Sequence, residues 1–207
     1  MVKDGIYYGI AFGATAALIG YLLHPAFAAP LLLAALFCLY FFRDPDRVIP
    51  DGPVAVSPAD GKVVGIIGDG SGAECTRISI FLNIFDVHVN RAPIAGKIAN
   101  VAYTRGRFLV ASREVASSQN ERNIVTIAGD STSVRFAQIA GLIARRIVFY
   151  KKPGDTVAKG ERVGLIKFGS RVDIFLGPEW EIKVRPGERV AGGSSILAQR
   201  REAARTS

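Results

Sequence analysis

Hydrophobic and polar positions divide the chain into two unlike parts. Residues 5–42 contain no Asp, Glu, Lys or Arg, and only His24-Pro25 interrupts this apolar run. Each of the two pieces, residues 5–23 and 26–42, is about long enough to cross a hydrocarbon core of roughly 30 Å, the second only marginally. The pattern therefore predicts a membrane-associated helical hairpin over residues 1–42.

A secretory signal peptide is the alternative, because Ala26-Phe27-Ala28 resembles a small-residue cleavage site. The apolar run continues well beyond that site to Phe42, which favours the hairpin. Lys3 precedes the apolar run, and Arg43 and Arg47 follow it. Positive charge at both ends predicts that both ends, and the domain that follows, lie on the cytoplasmic side of the cell membrane.

A turn-rich linker over residues 43–53 leads into a region with a different pattern. From residue 54 to residue 207, short apolar or alternating segments follow one another at close spacing, which is typical of a mainly β domain. Only residues 141–146 have a helix-like composition. The predicted strands include residues 63–67, Thr76–Leu82, 123–127, 133–139 and 146–150.

Two internal repeats refine this fold prediction. Residues 153–163 match residues 186–196, and residues 58–63 match residues 93–98. Both repeats have the turn-and-strand pattern found in the half-motifs of lipoyl- and biotinyl-like barrel sandwiches. We therefore expect a β-rich domain built from duplicated halves of this kind, stacked on a common core.

The charge of the chain limits its partners. A formal net charge of +8 favours an anionic partner, either nucleic acid or an acidic membrane surface. No Lys/Arg-rich helix or basic block with interleaved aromatic residues is present, so the sequence argues against nucleic acid. With two histidines, two separated cysteines and no C-x-x-C or H-x-x-x-H spacing, it also predicts neither a disulfide framework nor a metal site.

Residues 164–176 predict a strand, a Gly169-Ser170 step and a second strand. By itself, a Gly-Ser pair between two strands indicates a bulge or a tight bend. The alternative is chemical, because a serine hydroxyl can attack the preceding carbonyl when the backbone is strained and a base takes the proton. Glycine leaves that carbonyl unobstructed. On this pair alone, both interpretations stay open.

Five motifs along the chain decide between them by resemblance. In order and spacing they resemble the motifs of phosphatidylserine decarboxylases of the short bacterial and archaeal type, and with the apolar N-terminus they cover nearly the whole chain. The motifs are Ser57-Pro58-Ala59-Asp60-Gly61, Asp86-Val87-His88-Val89-Asn90-Arg91, Asn120-Glu121-Arg122-Asn123, Gln138-Ile139-Ala140-Gly141 and Phe168-Gly169-Ser170-Arg171-Val172-Asp173.

The resemblance implies a zymogen that cuts itself between Gly169 and Ser170. The products would be a β chain of residues 1–169 and an α chain of residues 170–207, joined as a heterodimer that could dimerise further. The α chain would begin with a covalent pyruvoyl group made from Ser170. Its ketone would form a Schiff base with the amine of phosphatidylserine and accept the electron pair released with carbon dioxide, which yields phosphatidylethanolamine.

The resemblance also assigns roles to individual residues. In the family, the aspartate of Pro-Ala-Asp-Gly orients the histidine of Asp-x-His toward the serine, which implies a triad of Asp60, His88 and Ser170. Gly169 would supply the attacked carbonyl. Longer family members carry a second histidine three positions after the first, where this chain has Arg91. His88 could then serve both proton transfers, while Arg91 could bind the carboxylate or phosphate of the substrate.

Two other interpretations compete with this one. Gly192-Gly193-Ser194-Ser195 looks like a second self-cleavage site, but the repeat aligns Ser194 with Glu161 and predicts an ordinary turn. Lipoyl- or biotinyl-like halves behind a membrane segment would also suit a membrane-tethered carrier or adaptor domain without catalytic activity. Against that function, neither turn carries a Met-Lys-Met attachment site, and no long heptad hairpin separates the halves.

Overall fold

The computed structural model describes residues 2–68, 75–142, 146–167 and 169–201. It divides the chain into two compact units, Met1–Asp46 and Arg47–Ser207. The helices are α1 Lys3–Leu22, α2 Pro25–Phe41 and α3 Ala116–Gln119. The strands are β1 Val54–Val56, β2 Gly61–Gly68, β3 Thr76–Leu82, β4 Val89–Arg91, β5 Gly96–Thr104, β6 Arg122–Ala128, β7 Ser133–Ala140, β8 Arg146–Phe149, β9 Thr156–Val157, β10 Arg162–Lys167, β11 Ser170–Leu176, β12 Trp180–Ile182, β13 Arg189–Val190 and β14 Ile196–Arg200.

The first unit is a pair of apolar helices, as predicted. His24 caps the N-terminus of α2, since its Nδ1 accepts a hydrogen bond from the Ala26 N–H at 3.2 Å. At the other end of the pair, the Val2 N–H donates to the Phe42 carbonyl at 3.1 Å, so the two helices run antiparallel. By length and composition α1 could cross a membrane, whereas α2 has only 17 residues.

The second unit is mainly β, which confirms the predicted class. Eight strands form one curled antiparallel sheet in the order β13-β2-β3-β11-β7-β6-β5-β9. Two three-stranded sheets, β1-β14-β12 and β4-β10-β8, complete the unit. Alternate positions of the central strands point into one apolar core, because side chains along a strand alternate between its two faces. Its members include Val63, Ile78, Ile80, Ile98, Val125, Ile127, Val134, Phe136, Val172, Ile174 and Leu176.

The predicted duplication appears in the register of the eight-stranded sheet. Gly61 of β2 lies opposite Val190 of β13, and Gly96 of β5 lies opposite Val157 of β9. The β2–β3 ladder shifts register between residues 63 and 65, and the β5–β6 ladder shifts between residues 98 and 100. These positions correspond in the sequence repeats, so each half places the same bulge and the same short flanking strand around one core.

Two local predictions have different outcomes. A helix over residues 141–146 is wrong at both described ends, since 141–142 are not helical and Arg146 begins β8; residues 143–145 lie outside the described part of the chain. Pairing of β8 with β10 overrides the helix-like composition there. The turn predicted at Ser194 is confirmed, because the N–H groups of Ser194 and Ser195 both donate to the Ala191 carbonyl.

Candidate active site

The predicted strand, step and second strand are present around Ser170. Strand β10 ends at Lys167, and β11 begins at Ser170, which lies between Leu82 of β3 and Ala140 of β7. Ser170 is completely buried, and its hydroxyl has no hydrogen-bond partner among the described residues. Leaving a buried hydroxyl unpaired costs about 1–3 kcal/mol, so this atom calls for a functional explanation.

Gly169 presents its peptide groups to two different neighbours. Its φ of +60° lies in the left-handed region, where glycine avoids the strain that a side chain would cause. Its N–H donates to Nε2 of His88 at 3.2 Å. Its carbonyl packs against Gly141, where an added Cβ would overlap the carbonyl oxygen. The carbonyl that a serine attack requires therefore lies in a space kept open by the absence of a side chain at Gly141.

The orientation of His88 follows from its two ring nitrogens. The side chain is buried, and Nδ1 lies 2.9 Å from the Asp86 carbonyl oxygen. Because a carbonyl oxygen can only accept, Nδ1 must carry a proton in this contact, while Nε2 accepts from the Gly169 N–H. A neutral imidazole with its lone pair directed at the Gly169-Ser170 step has the form that a general base requires.

The other two predicted site residues, Asp60 and Arg91, form hydrogen bonds with Arg47, Gly192 and Gly160. The carboxylate oxygens of Asp60 accept from Arg47 at 2.8 Å and from the Gly192 N–H at 2.7 Å. Arg91 is buried and donates to the Gly160 carbonyl at 3.0 Å. The structure thus brings His88, Gly169 and Ser170 together, and it places the Asp86 carbonyl where the orienting group for His88 was expected.

Known proteins resemble this chain along most of its length. Residues 34–198 match the family described as phosphatidylserine decarboxylase. The chain belongs to the phosphatidylserine decarboxylase family. A protein named phosphatidylserine decarboxylase proenzyme from Solibacter usitatus is 68% identical over 200 residues, covering 97% of both chains. Proteins of the same name from Syntrophus aciditrophicus and Desulfotalea psychrophila are 45% and 49% identical, over 95% and 81% of this chain and 96% and 81% of their own. The family is one of carboxy-lyases, so the chain is an enzyme.

Three of the motifs that carry the family resemblance meet in a buried polar chain. Asn123 donates to Gln138 at 3.0 Å, and Gln138 donates to Asn90 at 2.9 Å. All three side chains are buried, and Nδ2 of Asn90 has no partner among the described residues. Sequence reasoning assigned these residues no role, although polar residues inside otherwise apolar strands were a usable signal.

A buried ion pair follows the serine on the opposite face of β11. Arg171 and Asp173 are both buried, and Nε of Arg171 lies 2.6 Å from Oδ1 of Asp173. Ser79 and Glu114 also bond to Arg171, at 2.5 and 3.1 Å, while Ser117 donates to Asp173 at 2.6 Å. These contacts fasten the segment around residues 113–117 to the strand that begins at Ser170.

Asn120 holds the loop that precedes it in the same region. Its amide donates to the carbonyls of Leu109 and Ala140 at 2.9 and 2.7 Å, and its Oδ1 accepts from the Leu109 N–H at 3.0 Å. Ala140 is the residue paired with Ser170. Asn120 therefore ties the loop to the strand end beside the serine.

Nearby, burial and then a hydrogen bond to Glu121 raise the pKa of the Tyr103 phenol, so Tyr103 stays protonated as a donor.

Proposed function

We propose that the chain is a proenzyme that cuts itself at Gly169-Ser170 and then decarboxylates phosphatidylserine to phosphatidylethanolamine and carbon dioxide. One observation carries the proposal: the buried Ser170 hydroxyl, which has no hydrogen-bond partner in the described part of the chain, follows a glycine whose N–H is bonded to His88. Membership of the phosphatidylserine decarboxylase family supports the substrate and the reaction. The decarboxylase domain in this proposal comprises residues 54–207, after a linker at 43–53.

Self-cleavage uses only atoms of the chain and one water molecule. The Ser170 hydroxyl oxygen bonds to the Gly169 carbonyl carbon as its proton passes to Nε2 of His88. The C–N bond then breaks as that proton moves on to the departing nitrogen, which leaves an ester and a free amine. Removal of the Ser170 Cα proton then expels the Gly169 carboxylate, which separates residues 1–169 from a dehydroalanine. Water replaces the nitrogen of that residue as ammonia, and a pyruvoyl group remains.

The residues around Ser170 suit a pyruvoyl group and the decarboxylation that we propose for it. A pyruvoyl group at position 170 would supply an electrophilic carbonyl for the substrate amine and an acceptor for the electrons released with carbon dioxide. His88 is the base that accepts the serine proton and later returns a proton to the substrate carbon. Arg91, whose planar guanidinium suits carboxylates and phosphates, is the proposed anchor for the substrate's anionic groups.

The position of β11 explains how the cleaved chains would stay together. Ser170 is the first residue of β11, which pairs with β3 through residues 170–176 and with β7 through residues 170–175. Cutting before Ser170 leaves both ladders in place. We therefore propose that residues 170–207 and residues 1–169 remain a heterodimer, anchored in the cell membrane by the α1–α2 pair with the decarboxylase domain on the cytoplasmic side.

Ser170→Ala tests the proposed function directly. We expect intact mass spectrometry to find two chains for the unchanged protein, the smaller beginning at position 170 with a blocked pyruvoyl terminus. The Ser170→Ala chain should remain uncut and release no carbon dioxide from phosphatidylserine. Ser194→Ala is the matched control and should cleave normally. An uncut unchanged protein under active conditions would instead favour a membrane-tethered carrier or adaptor domain.

Comparing Asp60→Asn with His88→Ala separates the contributions of the two other triad members to the rate of self-cleavage. Asparagine can still accept from the Gly192 N–H but loses the ion pair with Arg47, so we expect self-cleavage to slow by about tenfold or less. His88→Ala removes the base, which should slow cleavage by about 100-fold or more. Time courses of the two variants measure both rates. Equal losses would show that Asp60 acts on His88 itself.

A further inference from the structure

Exposed apolar side chains surround the cleavage step. Two of them follow the end of β3, where Leu82 lies opposite Ser170. A third follows the end of β7, where Ala140 lies opposite Ser170 from the other side. A fourth comes from the loop between β5 and β6. We call these four residues the apolar rim: Ile84, Phe85, Val110 and Leu142, with Phe85 61% and Leu142 57% exposed.

The loop residue of the rim is fixed in place by its neighbours. Ala111, next to Val110, is buried, and its Cβ lies 3.3 Å from where a Cβ of Gly141 would be. On the other side, Asn120 bonds both the N–H and the carbonyl of Leu109. Val110 is therefore held near the Gly169 carbonyl, although its own side chain is exposed.

The turn that carries Ile84 and Phe85 pairs three of its N–H groups internally. Oδ1 of Asn83 accepts from the Phe85 N–H at 2.8 Å, and Oδ2 of Asp86 accepts from the Asn83 N–H at 2.9 Å. The Asp86 N–H donates to the Asn83 carbonyl at 3.0 Å. The free-energy cost of leaving water is smaller for peptide groups that are already hydrogen-bonded, so this turn is suited to a medium of low polarity.

Arginines accompany the rim. Arg107 and Arg113 lie in the same loop as Val110 and are exposed, and Arg189 pairs with Asp86 beside Phe85 while keeping much of its side chain in solvent. Apolar side chains flanked by cations are typical of a surface that binds anionic phospholipid, because the chains bury apolar area and the cations meet the headgroups.

We propose that the apolar rim enters the acyl-chain region of an anionic phospholipid bilayer. The serine headgroup of a lipid would then reach Ser170 while the lipid stays in the leaflet. This inference rests on the proposed function for its biological meaning, but the contact between rim and bilayer can be measured without any activity. It adds a second membrane contact, in the unit Arg47–Ser207, to the one expected of the apolar helices.

Two matched double variants test the rim in the full chain. Phe85→Ser/Leu142→Ser removes two rim residues. Ile67→Ser/Tyr150→Ser removes two apolar residues of comparable exposure, 43% and 52%, one near the end of β2 at Gly68 and one directly after β8. The quantity measured is the decarboxylation rate on phosphatidylserine in mixed phosphatidylcholine vesicles, divided by the rate on a water-soluble short-chain phosphatidylserine. We expect this ratio to fall at least about tenfold in the rim variant and to stay within twofold in the control. An unchanged ratio in the rim variant, or an equal fall in both, overturns the proposal.

A second measurement separates failure of the rim from failure of the proposed function. Trp180, the single tryptophan, is buried, so Phe85→Trp and Tyr150→Trp each add one exposed probe. Vesicles of anionic lipid with brominated acyl chains should quench the probe at position 85 strongly and the probe at position 150 weakly. Equal quenching overturns the rim proposal even if self-cleavage is normal. Absence of cleavage at Gly169-Ser170 with strong quenching at position 85 overturns the proposed function and leaves the rim intact.

Discussion

Gly141→Ala is expected to slow self-cleavage by at least about 100-fold, since a misplacement near 1 Å can cost that much in an oriented reaction. The added Cβ would overlap the Gly169 carbonyl oxygen and lie 3.1 Å from its carbon. Gly141 is not among the glycines with positive φ, so the effect is steric and does not come from backbone preference. Conversion of the purified uncut chain into two chains, followed by mass spectrometry, measures the rate.

Gly65→Ala is the matched control for this experiment. Gly65 also lies in the second unit, in β2, but a Cβ there would meet no atom of the described residues within 4 Å. We expect it to cleave at the rate of the unchanged protein and to unfold at a similar temperature. If Gly141→Ala cleaved within a few-fold of that rate while remaining folded, the packing of Gly141 on the Gly169 carbonyl would have no part in the reaction.

Asp173→Asn should destabilise the protein by about 3–5 kcal/mol, the range found when one partner of a buried ion pair is removed. Arg171 would keep its charge in a buried site while losing the carboxylate 2.6 Å from its Nε. Ser117 and Arg77 also contact this carboxylate, so the segment near Ser117 should loosen as well. Urea unfolding in detergent measures the free energy, with Ser170→Ala as the background so that the chain stays uncut.

Two further variants serve as controls for Asp173→Asn. Arg171→Met/Asp173→Leu removes both charges and should recover most of the lost stability, because apolar residues of similar volume often replace a buried pair without loss. Glu181→Gln breaks the exposed pair with Lys183 and should produce no measurable change. If Asp173→Asn were as mild as Glu181→Gln, the Arg171–Asp173 pair would not be what holds the segment around residues 113–117 to β11.

Much of the fold and part of the site could be predicted from local sequence. The charge-free run of residues 5–42 determines the helical pair, because long apolar segments without charges have few other stable forms. Alternation around Gly169-Ser170 predicts the two strands that the structure shows. The repeated turns predict the duplication, since similar local sequences adopt similar hairpins. Among the site residues, Ser170 and His88 were identified through the family resemblance.

Contacts between distant strands decided the rest. No local pattern shows that the Asp86 carbonyl takes Nδ1 of His88, or that the carboxylate of Asp60 goes to Arg47 and Gly192. The helix expected over residues 141–146 is wrong because β8 begins at Arg146 and pairs with β10. Helix propensity depends on local sequence and does not include the stability gained from that pairing. The sequence by itself determined the apolar helical pair, the two strands on either side of Gly169-Ser170 and which motifs are present. Only the tertiary structure decided which polar atoms meet, because hydrogen bonds and close approaches depend on register between residues far apart in the chain.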